Sequence, residues 1–259
     1  MRRILRSLHW LVHSQFGIDI PRIFRVLIGV PKYIGDLIKF KKNYHGQLEL
    51  LPCLTDWNKE GGTAIGEYFW QDLYVARKIH DTKPLKHVDI GSRVDGFVAH
   101  VASFRELEVL DIRPISADVP GVVFKQADLM RLDQVFVDYC DSVSCLHALE
   151  HFGLGRYGDP INPYGHEAGL QNMAKILSPG GMYYLSVPIG FERVEFNGHR
   201  VFDPKTIIQL AGVSKLVLKS FAYVGSSGQL LESISPAIDF EQLARERYAL
   251  GIFTFEKMK

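Results

Sequence analysis

His147, Glu150 and His151 fall within DSVSCLHALEHFGLGRYGD, the stretch from Asp141 to Asp159. Two imidazoles four residues apart, with a carboxyl beside the second, match the H-x-x-E-H spacing of inverted zinc peptidases. Zinc chemistry needs both histidines on one face of a helix and an acid from elsewhere as a further ligand. Gly153 and Gly155 cut any helix short, and the only distant acid that can be placed, Glu232, lies in Ser-Gly-rich sequence. No metal site is expected. Glu150 and His151 then form either an acid/base pair or a packed, capping strand end. His199 and Arg200 offer a similar mixture, an imidazole that titrates near neutrality beside a guanidinium that suits a phosphate or carboxylate. Arg156 and Tyr157 sit among glycines, as in a loop over a site. Each of these four serves equally well as an ordinary turn residue.

A second group of residues suits a nucleoside ligand. Asp89-Ile90-Gly91-Ser92-Arg93-Val94-Asp95-Gly96 ends an apolar run, and a glycine there lets backbone approach a ligand closely. Its G-x-x-x-x-G spacing is that of a phosphate-binding loop, but Phe97-Val98 stands where Lys and Ser/Thr are required. Arg93 also replaces the second glycine of G-x-G-x-x-G. Asp111 closes the next apolar run, 20 residues after Gly91, where an acid receives ribose hydroxyls. Asp128 closes the third and is placed to hold an adenine amino group. A single strand-end Asp commonly caps a turn; three in register favour a nucleoside. The expected cofactor contacts are Asp89, Gly91, Ser92, Arg93, Gly96, Asp111, Ile112, Asp128 and Leu129.

The elements that position these residues alternate. Short apolar strands are expected at 86–91, 107–113, 122–128, 139–146 and 180–188, with a closing pair at 215–225 and 251–258. Helices are expected near 64–80, 95–104, 166–177 and 204–211. This rhythm indicates a mostly parallel sheet covered on both faces. Ligands bind such sheets at the carboxyl ends of the strands.

Residues 1–63 read differently, as a helical arm and linker ahead of an α/β domain over 64–259. Net charge is +1 overall, yet residues 1–45 carry +7, leaving about −6 for the remainder. Ile4, Leu5, Leu8, Leu11 and Val12 recur at helical spacing, and a second helical pattern over 21–44 is expected to break at Pro31. Such an arm packs on its own domain, pairs with a second copy, or lies on an anionic membrane surface; nucleic acid is not the expected partner. Charges at Arg22, Arg25, Lys32 and Asp36 interrupt every apolar stretch long enough to span a bilayer. Three cysteines without C-x-x-C spacing fit a reducing, cytoplasmic setting.

With those elements in place, DSVSCLHALEH resembles the strand and Leu-Glu-His of class I S-adenosylmethionine-dependent methyltransferases, and LSPGGMYYLSVP resembles their Pro-Gly-Gly turn and fifth strand. More narrowly, HVDIGSRVDGFVAHVASFR, LDIRP and SVPIGFERVEFNGHRVF resemble a domain-of-unknown-function family of nematodes and bacteria, over about residues 50–225. The resemblance implies a seven-stranded doubly wound Rossmann-like sheet and S-adenosylmethionine as cofactor. Bacterial members of that family accompany surface-polysaccharide genes, which implies methyl transfer to a hydroxyl of a sugar or glycan-linked metabolite. His151 or His199, with Glu150, would then supply the base, and Arg156, Tyr157 and Arg200 would meet the acceptor. A nicotinamide-dependent sugar oxidoreductase and a non-catalytic binding protein remain the alternatives on the same kind of sheet.

Overall fold

The computed structural model describes residues 16–57, 59, 62, 64 and 66–259. Two compact units divide the chain, Met1–Thr63 and Ala64–Lys259. In the first, helix α1 (Ile20–Lys41) begins at Asp19, whose carboxylate accepts from the Arg22 amide at 2.9 Å, with Pro21 in the first turn. The helix continues through Pro31 instead of breaking there. A proline removes one intrahelical donor, and the rest of this 22-residue ladder carries the helix past it. Gly29 lets the later chain cross, because a Cβ there would fall 1.9 Å from the Leu54 carbonyl oxygen. Ile23, Phe24, Leu27, Ile28, Ile34 and Ile38 remain exposed along one side of α1. The helical pattern expected at residues 4–12 lies outside the described residues. Among the described residues, no helix is long and apolar enough to cross a membrane.

The second unit opens with α2 (Glu67–Thr82), then β1 (His87–Ile90), β2 (Leu107–Asp111), β3 (Val122–Gln126) and β4 (Cys140–Leu146). Next come α4 (Gly165–Ile176), β5 (Leu177–Ile189), a hairpin of β6 (Arg193–Glu195) and β7 (His199–Val201), and α5 (Pro204–Val213). β8 (Leu216–Val224), β9 (Leu230–Glu232), α6 (Pro236–Leu243) and β10 (Ala249–Lys257) complete it. Between β1 and β2 the expected helix is reduced to a π-turn, Val94–Val98, and a single α-turn, α3 (Ala99–Ala102). Gly96 is the cause: its backbone (φ −131°, ψ −107°) is not helical, and a Cβ there would meet Asp72 Oδ2 at 2.6 Å.

The sheet order is β3-β2-β1-β4-β5-β10-β8-β9. The first five strands are parallel, while β10, β8 and β9 run antiparallel to their neighbours. The sheet therefore has eight strands, not seven. The extra one, β9, is a three-residue edge strand whose GQLLES sequence has too short an apolar run to be recognised. Val88, Val143, Leu185 and Phe253 pack one face of the sheet; Val109, Leu146, Tyr184 and Ile252 pack the other. Each such buried side chain stabilises the fold by about 1.5–3 kcal/mol. β1 and β4 are buried on both faces, as a central parallel strand requires. From β1 the chain builds outward through β2 and β3, then returns to β4 on β1's other side, so a crevice opens at the carboxyl ends between them.

Candidate active site

A cavity of about 330 Å³ lies at that crevice, within the usual size range of small-ligand sites. Its two walls come from different parts of the sheet.

One wall is formed by the ends of β1, β2 and β3. Gly91 takes φ +68°, and a Cβ on it would approach Ala148 Cβ to 3.0 Å, so the strand end and the chain after β4 touch only because the residue is glycine. Beneath it, Asp89 is fully buried and accepts from Ser92 N (3.1 Å), Ser92 Oγ (2.6 Å) and Ser144 Oγ (2.6 Å). Burial pushes its carboxyl up to about 6, against the pull of those hydrogen bonds. Asp111 lines the cavity, and Arg113 holds it through three bonds: Arg113 N (2.8 Å) and Nε (3.1 Å) to Oδ1, and a guanidinium terminal nitrogen (2.7 Å) to Oδ2. The Arg113 guanidinium also lies over the Tyr157 ring at 4.2 Å. Asp128 accepts from the Met130 amide at 2.9 Å, and Ile112, Leu129 and Met130 complete this wall.

The other wall is formed by the chain after β4, the start of α2, β7 and the residue before β10. His147 takes φ +53°, left-handed backbone that a non-glycine residue seldom adopts, and Tyr68 of α2 packs on its ring at 4.6 Å. Its Nδ1 lies 2.9 Å from Gln71 Oε1, which also accepts from Ser186 Oγ at 2.6 Å. His147 Nε2 has no hydrogen-bond partner and stands 3.5 Å from Glu67 Oε1. Tyr248 donates to the other oxygen of Glu67 at 2.8 Å. Burial raises Glu67 and lowers His147 to about 3. Glu150 is 1% exposed, neither of its oxygens has a hydrogen-bond partner, and burial raises it to about 8. Burial, with Arg156 adding to it, lowers neighbouring His151 to about 4. Its Nδ1 donates to the Gly198 carbonyl at 2.7 Å, and its Nε2 is 3.6 Å from Glu150 Oε1. His199, lowered by burial, faces Glu195 at 3.6 Å.

The structure thus brings Gly91, Arg93, Asp111, Ile112, Asp128, Leu129, Glu150, His151, Arg156, Tyr157 and His199 to one cavity. Four expected contacts are not part of its lining. Asp89 and Ser92 are occupied with each other below the loop, and Gly96 is packed against Asp72. Arg200 is 4% exposed and donates to the carbonyls of Glu150 (3.3 Å), Phe152 (2.6 Å) and Pro163 (3.1 Å). It clasps the loop after β4 and has no free donor face for an acceptor. Glu67, Tyr68, His147, Arg113 and Tyr248 line the cavity without having been expected there. Tyr248 had a readable clue: it immediately precedes antiparallel β10, whose amino end meets the carboxyl end of β5. Glu67 had none, being the first residue of a helix far away in sequence. Among the described residues, no group of three or more His, Cys, Asp or Glu side chains is disposed to hold a metal ion.

Residues 121–242 match the family model described as "Caenorhabditis protein of unknown function, DUF268". No curated protein matches the chain. Similar solved structures include the 1,6-didemethyltoxoflavin-N1-methyltransferase of Burkholderia thailandensis with bound S-adenosylhomocysteine, at 13% identity and TM-score 0.50, covering 73% of this chain and 79% of that one. The N-methyltransferase NodS of Bradyrhizobium japonicum, also with S-adenosylhomocysteine, shows 13% identity, TM-score 0.50, and 75% and 89% coverage. The [4+2]-cyclase SpnF shows 15% identity, TM-score 0.53, and 78% and 86% coverage. The fold is the Rossmann-like fold of class I S-adenosylmethionine-dependent methyltransferases. A cyclase among its neighbours shows that this fold does not by itself dictate the reaction.

Proposed function

We propose that the chain is an S-adenosylmethionine-dependent methyltransferase acting on a hydroxyl of a sugar or glycan-related metabolite. The observation that carries this reading is the convergence of Gly91, Asp111 and Asp128, from three successive strand ends at the switch point, on one cavity. Their chemistry fits a nucleoside. The Gly91 backbone leaves no Cβ in the way, and Asp111 offers a carboxylate at the ribose position. Oδ1 of Asp111 already accepts two bonds from Arg113 and Oδ2 only one. A ribose diol would take the open position on Oδ2 and displace the Arg113 Nε from Oδ1. Asp128 would accept from an adenine amino group, with Ile112 and Leu129 packing on the base. Arg93 leaves room for the rest, because Asp95 holds its guanidinium in two bonds of 3.1 and 2.8 Å on the exposed rim.

When bound, the cofactor supplies an electrophilic methyl group on a positively charged sulfur. The imidazoles of the opposite wall would accept the acceptor's proton, and Arg156 and Tyr157 would bound the acceptor's side of the mouth. Holding both reactants in this cavity converts a bimolecular step into a local one. Calorimetry tests the cofactor assignment: wild type should bind S-adenosylhomocysteine, and Asp111→Ala should weaken binding roughly 10–100-fold, or about 1.5–3 kcal/mol. Equal binding by both proteins would remove the ribose assignment. Binding of NADPH in place of S-adenosylhomocysteine would turn the reading towards an oxidoreductase.

The arm suits a cytoplasmic protein that touches a membrane surface. Arg22, Arg25, Lys32 and Lys39 lie opposite the exposed stripe of Ile23, Leu27, Ile34 and Ile38, so apolar and cationic surfaces share one helix. The occupant we assign to this face is an anionic bilayer, at about 1 kcal/mol per basic residue near the surface. Vesicles containing phosphatidylserine should bind the full chain at low salt and release it at high salt. Binding to neutral vesicles alone, or self-association without lipid binding, would refute the assignment.

A further inference from the structure

The three histidines of the acceptor wall are not equivalent. His151 Nε2 stands 3.6 Å from Glu150 Oε1, whose carboxyl burial raises to about 8. His199 is 29% exposed in its side chain, and its Nε2 is directed to Glu195. His147 also faces a carboxylate, Glu67 at 3.5 Å, and differs in its enclosure and in what its other nitrogen meets. The residue lines the cavity, its side chain is 6% exposed, and its Nε2 is buried without a hydrogen-bond partner beside the Glu67 carboxylate.

The ring's proton is placed by its other nitrogen. Gln71 Nε2 donates to Asp72 Oδ1 at 3.0 Å, which orients the amide so that Oε1 faces His147 and Ser186. Oε1 can only accept. His147 must therefore carry its proton on Nδ1, which leaves Nε2 a bare lone pair. The left-handed backbone at His147 and the Tyr68 ring hold that orientation. A buried acceptor without a partner is costly, and a donor from a ligand relieves the cost.

We propose that His147 Nε2 receives the acceptor's hydroxyl proton, with Gln71 as the residue that positions its tautomer and Glu67 as the group that offsets the charge formed. The inference rests on the methyltransferase reading. The acceptor's O–H bond breaks, its proton goes to Nε2, and its electron pair makes the new O–C bond as the sulfur–methyl bond breaks. The positive charge lost at sulfur reappears on the imidazole, 3.5 Å from Glu67. Burial raises the Glu67 carboxyl, and Tyr248, donating to its other oxygen, pulls it back towards the carboxylate. An imidazole that is neutral beforehand and gains a counter-charge only on protonation favours the transition state over the ground state.

Nitrogen-15 NMR of the histidine rings in the full chain reads the central claim without any acceptor. Between pH 6 and 8, His147 should be neutral, with its proton on Nδ1 and an unprotonated Nε2. Gln71→Leu should give a mixture of tautomers, an outcome that mere loss of packing would not produce. A wild-type His147 that carries its proton on Nε2, or is an imidazolium at pH 7, would overturn the proposal. Asn tolerates left-handed backbone and its amide can replace Nδ1–H towards Gln71, so His147→Asn should stay folded and bind S-adenosylhomocysteine within about threefold of wild type. On a hydroxyl acceptor that wild type methylates, it should turn over roughly 100- to 10,000-fold more slowly. Normal turnover by His147→Asn would also overturn the proposal. Failure of wild type to bind S-adenosylhomocysteine would instead sink the methyltransferase reading and leave the tautomer result standing.

Discussion

The two walls of the cavity differ in how their polar groups are satisfied. On the β1–β3 side every acid has a partner within its own neighbourhood: Asp89 has Ser92 and Ser144, Asp111 has Arg113, and Asp128 has the Met130 amide. On the opposite side His147 Nε2 and both oxygens of Glu150 have none. Buried polar atoms are usually paired, so the three unpaired ones on this wall suit a donor-bearing ligand, although others, such as Tyr74 Oη and Thr254 Oγ1, lie on residues away from the cavity. The first wall is preorganised by its own sequence. The second is incomplete without an occupant.

The contrast can be broken first at Arg200, which scaffolds the second wall from behind. Its guanidinium joins three carbonyls of the loop after β4, and charge-assisted bonds are each worth about 1.5–3 kcal/mol. Arg200→Ala should therefore cost about 3 kcal/mol or more, lowering the melting temperature by roughly 6–12 °C for a domain of this size. Unchanged melting with a weakened acceptor would restore Arg200 to the ligand-binding role its sequence position suggested.

Glu150 offers a second test with a defined sign. Its folded value is raised from 4.5 to about 8, so above pH 4.5 the unfolded chain releases a proton that the folded chain keeps. Stability therefore falls as pH rises through that window, and the penalty is complete above about 8. His147 and His151 are lowered from 6.5, to about 3 and about 4 respectively, so they cost stability only as pH falls below 6.5 through those values. Glu150→Gln should be as stable as wild type near pH 4.5 and more stable by pH 8, by a margin of up to about 5 kcal/mol. A constant difference across that range would mean that Glu150 is ionised in the fold, and the second wall would lose its unpaired acid.

The same contrast explains what could be read in advance. Asp111 and Asp128 announce themselves because strand, acid and turn lie within a few consecutive residues, and a mostly parallel sheet with a closing pair follows from the apolar rhythm, the antiparallel sense of that pair being what the methyltransferase resemblance implies. The second wall depends on pairings across long stretches of chain. Gln71 meets Ser186, Tyr248 meets Glu67, and His151 meets Gly198. No local pattern encodes such contacts. Arg200 departs from its expected role for a related reason: a guanidinium next to a histidine suits a ligand site, but this one is buried and bonded to three carbonyls. In the sequence His147 stands out only through its zinc-like spacing from His151. The two rings in fact bond to different partners, Gln71 and Gly198.

The smallest expected effect lies at Arg93, on the rim where the walls meet. In sequence this residue stands where a glycine would let a cofactor's methionine moiety enter, so it could fill that space or grip a carboxylate. In the structure its guanidinium is held by Asp95, with side-chain exposures of 56% and 74%, and lies 5.2 Å from the Tyr68 ring. An ion pair this exposed contributes about 0–1 kcal/mol to stability. Arg93→Ala should accordingly leave the melting temperature almost unchanged and S-adenosylhomocysteine affinity within about threefold. If Arg93 instead leaves Asp95 to bind the ligand's carboxylate in two bonds, affinity should drop tenfold or more, and Asp95→Ala should raise it by freeing the guanidinium. That result would put a ligand-dependent contact on the first wall and erase the distinction between a self-satisfied side and an incomplete one. Near-identical affinities for wild type, Arg93→Ala and Asp95→Ala would keep the distinction, with Arg93 as a bystander at the rim.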